Sequence, residues 1–243
     1  MRPLERGAVI ALLAFTPACN CAGATAMSQA MDMNDDAATG LLSLDQLEWR
    51  TLAPSNSTVW QGEGWFGNDY NKLWARSEGE AFAGTADARA ELFWDHAIAR
   101  WWNVEVGGRE DFGAGPARGW AAFGVRGLAP QRVDVEATLY AGAAGRTAAR
   151  LKIEYELLFT QRLILQPEIE MNLYGRGDPA RDSAAGVSDF ELGLRLRYEV
   201  RREFAPYAGL VWARRLGATG DLVHNAAVSS DGLCLALGVR VWL

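Results

Sequence analysis

The chain has 243 residues, of which 24 are Lys or Arg and 30 are Asp or Glu, for a formal charge of −6 at pH 7; 49% are hydrophobic. An acidic balance of this kind excludes a nucleic-acid surface. No run of about 18 apolar residues follows the N-terminus, so a helical membrane protein is excluded too, whereas a barrel with one apolar and one polar face per strand keeps a soluble-looking average.

Residues 1–26 read as a secretory signal peptide, with Arg2 and Arg6, the apolar run Ala8 to Phe15, and Ala24-Thr25-Ala26 as the cleavage site. A competing lipoprotein reading would acylate Cys19 after Thr16-Pro17-Ala18, but no aliphatic residue sits three places before it. Loss of this segment removes Cys19 and Cys21 and leaves 22 basic against 29 acidic residues, a formal charge of −7. Cys234 is then the sole cysteine and has no internal disulfide partner.

Residues 27–63 form a different kind of sequence. Met27, Met31, Met33, Asp32, Asp35 and Asp36 follow closely, with no alternation, and read as a short acidic tail. Within it, Leu41 to Trp49 suits a short helix that would need tertiary contacts to persist.

A barrel is expected over 64–243, with strands at about 71–82, 86–98, 101–112, 118–129, 131–142, 147–160, 162–174, 187–200, 203–216 and 232–243. The pair at 147–174 carries the argument. Ala149, Leu151, Ile153, Tyr155, Leu157 and Phe159 alternate with Arg150, Lys152, Glu154 and Glu156. Beyond Gln161, Leu163, Leu165, Pro167, Ile169, Met171 and Leu173 alternate with Gln166, Glu168, Glu170 and Asn172. Period two excludes a helix, and twelve or more residues per strand exceed the usual ~5–6 of soluble sheets while meeting the ~9–11 a bilayer requires.

The expected fold is therefore all-β: a transmembrane up-and-down antiparallel barrel of about ten strands, eight to twelve in range, since Thr58 to Phe66 is able to add pairing. Joins at Ala99-Arg100, Pro130, Gln161 and Arg201-Arg202 are tight, and those at 83–85, 113–117, 143–146, 175–186 and 217–231 are longer. Strict alternation of short and long joins puts both chain ends and the tail in the periplasm. Trp94, Trp101, Trp102, Trp120, Tyr140, Phe159, Tyr174, Tyr198, Phe204, Tyr207, Trp212 and Trp242 fall mainly at strand ends, as interfacial girdles do. The last strand places Leu233, Leu235, Leu237, Val239, Val241 and Leu243 on one face, with the aromatic Trp242 one place before the end.

Certain blocks carry a family resemblance. They are Gly64-Trp65-Phe66-Gly67-Asn68-Asp69-Tyr70-Asn71-Lys72-Leu73-Trp74 with Ser77-Glu78-Gly79-Glu80, then Gly127-Leu128-Ala129-Pro130, Leu157 to Gly175, Ser188 to Leu196, and Arg201-Arg202-Glu203-Phe204-Ala205-Pro206-Tyr207. Together, over about residues 41–243, they resemble the copper resistance protein B family. The resemblance implies a protein of the outer membrane that works with periplasmic copper-handling proteins in tolerance to excess copper. Members of that family usually carry a longer extension crowded with Met and His and thought to bind copper. Here only Met27, Met31 and Met33 stand in its place, with no histidine.

Those three thioethers, and the Cys234 thiolate on the lumen face, are the candidate metal ligands; such soft sulfur donors favour Cu(I) as the bound copper. His96 and His224 are the only histidines and lack the spacing of a preformed site. Asp221, His224, Ser229 and Ser230 supply hydrolase residue types in one loop, but nearness in sequence is not geometry and no enzymatic role is expected. The polar face also gathers Arg76, Glu78, Glu80, Glu91, Glu105, Arg109, Arg132, Asp134, Glu136, Arg150, Lys152, Glu154, Glu156, Glu168, Glu170, Glu191, Arg195 and Arg197. A narrow lumen must pair or hydrate these charges. They make either a rigid ion-pair filling or a constricted polar path for cations, the latter suiting a pore with no metal role.

Overall fold

In the computed structural model the described residues are 37–52, 55–82, 84–113, 115–181, 185–216 and 232–243. They form one closed antiparallel barrel. In chain order the strands are β1 (Thr39–Leu52), β2 (Ser55–Gly67), β3 (Asn71–Phe82), β4 (Thr85–Ala99), β5 (Trp102–Phe112), β6 (Arg118–Ala129), β7 (Val133–Gly142) and β8 (Arg146–Tyr155). There follow β9 (Leu157–Leu158), β10 (Leu163–Tyr174), β11 (Gly186–Tyr198), β12 (Phe204–Arg215) and β13 (Gly232–Trp242). The two-residue β9 continues β8 beyond Glu156 in unbroken register with β10, so the barrel has twelve strand positions. Closure is made by β13 against β1, with Ser43 opposite Trp242 and Thr51 opposite Leu235.

Ten of the twelve positions lie where the sequence places them, and two are additional. Residues 41–49 are the body of β1 and not a helix, and β2 fills the stretch before Asn71, so the barrel starts at Thr39 and not at residue 64. The cause is a β-bulge. Between Leu44 and Gln46 the register against β2 shifts by one residue, leaving Asp45 extra. On one side of it Leu42 faces out and Ser43 in; on the other Leu47 and Trp49 face out while Gln46, Glu48 and Arg50 face in. The inserted residue spaces Leu44 and Leu47 three apart, which imitates a helical repeat.

The joins also depart from strict alternation. At the end where β1 begins and β13 stops they are residues 68–70, 100–101, 130–132, 159–162 and 199–203. At the other end, 113–117, 175–185 and 216–231 are longer, but 53–54, 83–84 and 143–145 are as short as any turn. Tight reversals need left-handed backbone, and here Gly84 (φ 86°), Ala144 (φ 60°) and Gly145 (φ 69°) supply it.

Outward positions carry the lipid-facing band: Leu73, Leu92, Trp94, Val106, Phe123, Leu139, Leu194, Leu210, Leu235 and Leu237 are all exposed. Trp94, Trp101, Phe159, Tyr198 and Phe204 stand outward as expected of a girdle. Trp120, Tyr140 and Tyr207 do not; they are buried in the lumen. Trp120 and Tyr140 belong to an inner cluster with Trp74, Phe93, Ala122 and Ala148, against which Trp65 and Tyr174 pack. Position near a strand end was the wrong guide for these rings, since parity along the strand decides the face.

Gly107 lies opposite Phe93 on β4, and a Cβ there would overlap the Leu92 carbonyl oxygen. Gly107→Ala is expected to cost about 2–4 kcal/mol, because backbone must move to admit the methyl. Urea unfolding in lipid vesicles measures the loss, and an unchanged midpoint would show that the strands have slack here.

Candidate functional site: the lumen

The lumen is held by arginines on inward positions, most of which reach carboxylates on other strands, while Arg109 pairs with Asp111 on its own strand at 2.6 Å. On the β1 side, Arg50 Nε lies 2.6 Å from Glu48 Oε1, and its two terminal nitrogens each donate to Glu191 at 2.8 Å. Arg195 donates to the other Glu48 oxygen at 3.0 Å and approaches Glu168 at 3.4 Å. The Tyr207 hydroxyl donates to Glu48 at 3.1 Å. Room for these long groups comes from small residues on the same wall: Arg195 lies over Gly193 and Gly209, and the Tyr207 ring lies over Gly238.

Two further arginines are bound across the barrel. Arg76 meets Glu105 at 2.5 Å and Glu136 at 2.8 Å, with Glu63 at 3.8 Å, and its guanidinium lies 5.0 Å from the Phe93 ring centre. Arg150 lies 3.0 Å from Glu78 and 2.9 Å from Glu170, and Arg89 touches the same two carboxylates. These contacts link β3 and β4 to β8 and β10. Lys152 Nζ donates to Gln61 Oε1 at 3.2 Å and so joins β8 to β2, six positions away on a twelve-position wall. Arg126 adds a cation–π contact, 4.5 Å from the Trp74 ring centre.

Ions buried this deeply are tolerated only when partners replace their water. Glu105 is fully buried, Glu48 is 1% exposed and Arg195 2%. The network therefore acts as a filling and a set of cross-ties. Most of the charges expected on the inner face are there, although Arg132 sits exposed in a turn. Glu48 and Arg50 were hidden by the bulge in β1. Arg89, Asp95, Asp111 and Arg126 were legible in the parity of their strands, in step with Glu91, Arg109 and Gly124.

Toward the end with the longer joins the lumen widens into a cavity of about 540 Å³. Arg50, Glu78, Glu80, Arg89 and Asp111 line it, and Cys234 forms part of its wall. Cys234 does face inward and is buried beside Val211 and Ala236, its sulfur 3.9 Å from the Gly232 carbonyl oxygen. It stands without company of its own kind: among the described residues no group of three His, Cys, Asp or Glu is arranged to hold a metal. His96 is on the outer face, 2.9 Å from Asn71 Oδ1 and stacked on Trp94. Met27, Met31, Met33, Asp221, His224, Ser229 and Ser230 lie outside the described residues.

The join between β10 and β11 is tied down over this mouth. Asp178 accepts from Arg118 Nε at 2.8 Å and lies 3.6 Å from Arg146. Arg181 donates to the carbonyls of Pro116 (3.0 Å) and Phe112 (3.3 Å). The hydrogen bond from Arg118 holds the Asp178 carboxyl below the usual carboxylate range, against the opposing pull of partial burial.

The sequence pattern of the copper resistance protein B precursor family matches residues 38–243, a stretch that opens one residue before β1. A copper resistance protein B homolog of Pseudomonas syringae pv. tomato is 43% identical over 211 residues, covering 86% of this chain and 72% of its own. Copper resistance protein B of Escherichia coli is 42% identical over 211 residues, covering 86% and 71%. Among solved structures, a NanC porin (TM-score 0.56, 13% identity) and a KdgM porin (TM-score 0.53, 12% identity) each align with 82% of this chain and 98% of their own. Their likeness is one of fold.

Arg195→Met would leave Glu48 with Arg50 and Tyr207 and Glu168 with Lys152 and Gln46, each one cation short, and is expected to destabilise the barrel by about 2–4 kcal/mol, of which Glu48→Gln in the same chain restores part. A double-mutant cycle by urea unfolding reads the coupling, and strictly additive losses would mean that the pair is not a unit. For the β10–β11 join, the folded carboxyl of Asp178 titrates below the unfolded value of about 3.9. The clasp is thus fully present above that value and lost as pH falls through the lowered one. Amides of 175–181 are expected to exchange faster in Asp178→Asn at neutral pH, and wild type to approach that rate only on acidification; equal rates at neutral pH would remove the clasp.

Proposed function

The chain belongs to the copper resistance protein B family, and on that premise we propose that it supports copper tolerance from the outer membrane by capturing copper, not by conducting it through an open pore. The observation that carries this reading is the commitment of the lumen carboxylates. Glu48, Glu105, Glu136, Glu168, Glu170 and Glu191 are each engaged by arginine, so a cation crossing that layer would have to break buried ion pairs, although among the described residues Glu91 and Asp95 are held only by Tyr140 and Asn103.

Copper is then met by softer groups. The thioethers of Met27, Met31 and Met33 suit Cu(I), and Cys234 at the cavity wall is a second soft donor. The barrel acts as the membrane anchor for that capture, with the tail on the periplasmic side together with the chain ends and the shorter turns, where copper-handling partners would deliver the metal. A non-enzymatic role follows, since no step in capture breaks a covalent bond.

A second reading is favoured by the cavity itself. Its width at one end suits a pore that is closed only by the ion-pair layer, with copper export or simple permeation as the outcome. The two readings separate in one pair of measurements. In detergent, Cu(I) titration with a competing chelator compares the exported protein with one lacking residues 27–36, a cut that spares β1. Capture by the tail predicts that binding is lost on truncation. In planar bilayers the intact barrel is expected to show little conductance and Arg150→Ala a clear gain. Retained copper binding by the truncated barrel moves the site to Cys234, and a large metal-independent conductance of the intact barrel favours the pore.

A further inference from the structure

The arginines of this protein divide into two populations. Those of the lumen are bound to carboxylates, as are most at the wide mouth: Arg118 and Arg146 with Asp178, Arg181 with Asp87, and Arg215 with Asp189, while Arg176 there donates to the Ala144 carbonyl and Arg214 stands exposed. The rim of short turns is different. Arg100, Arg132, Arg162, Arg201 and Arg202 all lie in those turns and are exposed. None of the five has a carboxylate at ion-pair distance among the described residues, and Arg100 is placed over the Trp101 ring, 5.2 Å from its centre. The same turns hold three acidic residues, Asp69, Glu199 and Glu203, against five arginines, and Glu199 is already shared with Arg197 at 3.8 Å.

Exposed rings stand among these arginines. Phe66, Tyr70, Trp101, Phe159, Tyr198 and Phe204 crowd the same rim, between 41% and 66% exposed. Such rings settle at the headgroup level of a bilayer, which fixes the depth at which the guanidiniums lie. A guanidinium is planar, permanently charged and forked, and its best match at that depth is a phosphate, which it can grip with two parallel hydrogen bonds.

We propose that the rim of short turns is a docking surface for anionic phospholipid headgroups, with the turn arginines holding lipid phosphates and the rings between them holding the acyl boundary. The surface ties one end of the barrel to one leaflet and so gives the molecule a fixed orientation. It rests on the membrane-spanning architecture and is independent of how copper is handled.

The test uses the exported protein purified from membranes into neutral detergent. It is titrated with phosphatidylglycerol and with phosphatidylcholine of the same chain length while the thermal midpoint and retained lipid are recorded, the latter by native mass spectrometry. Phosphatidylglycerol is expected to raise the midpoint by several degrees more than phosphatidylcholine. The R100Q/R132Q/R162Q/R202Q variant is expected to lose up to about a thousandfold in apparent affinity for phosphatidylglycerol, with its midpoint in phosphatidylcholine unchanged. The matching Arg→Lys variant should retain part of the preference, which separates charge from fold damage. Equal responses to the two lipids, or equal responses of wild type and the Gln variant, would overturn the proposal. A shift reproduced by inorganic phosphate alone would reduce it to a free-anion site, and an arginine-dependent response to lipopolysaccharide with none to phosphatidylglycerol would assign the rim to the opposite leaflet.

Discussion

A closed barrel of twelve strand positions encloses a space too wide for apolar side chains from the wall to fill and too narrow to be treated as bulk water. Guanidinium–carboxylate contacts across that space are what the rest of the molecule depends on. Arginine is suited to the task because its long stem reaches over neighbouring strands and its fork engages two acceptors at once. Arg76 ties β3 to β5 and β7, Arg150 ties β8 to β3 and β10, and Arg195 ties β11 to β1 and β10. Each tie is costly to desolvate and costlier to leave half made, so the network constrains register and shape more than it adds net stability.

The wall is adapted to these long groups by contrast in size. Gly193, Gly209, Ala236 and Gly238 clear one quadrant, into which Arg195, Arg50 and Tyr207 lie flat. Another quadrant is lined by Trp74, Phe93, Trp120 and Tyr140; the faces of Trp74, Phe93 and Tyr140 receive Arg76, Arg126 and Arg109, and Trp120 Nε1 donates to Asp111. Aromatic rings thus do two separate jobs here. Outside they meet lipid headgroups, and inside they shelter guanidiniums that could not otherwise leave water.

This division bears on copper. Among the described residues most lumen carboxylates are held by arginine, and Cys234 lies at the cavity wall outside the ion pairs. The clasp of Asp178 with Arg118 and Arg146 extends the same ionic chemistry to the mouth.

What the sequence by itself determined was the architecture: alternation along 147–174 and along the last strand allows only long two-faced strands, and parity assigns nearly every lumen charge. The family blocks between Gly64 and Tyr207 were equally legible, because they are local runs of residues. Tertiary structure alone decided the start of the barrel, since the extra residue at Asp45 breaks the period of two and only pairing with β13 and β2 reveals it. Strand parity, readable in the sequence, puts Trp120, Tyr140 and Tyr207 inside; only the structure shows the room that Gly142 leaves for Trp120 and Gly238 for Tyr207. The partners of each arginine were beyond sequence reasoning for the same reason: Arg76 and Glu136 are sixty residues apart, and closure of the barrel is what brings them to 2.8 Å.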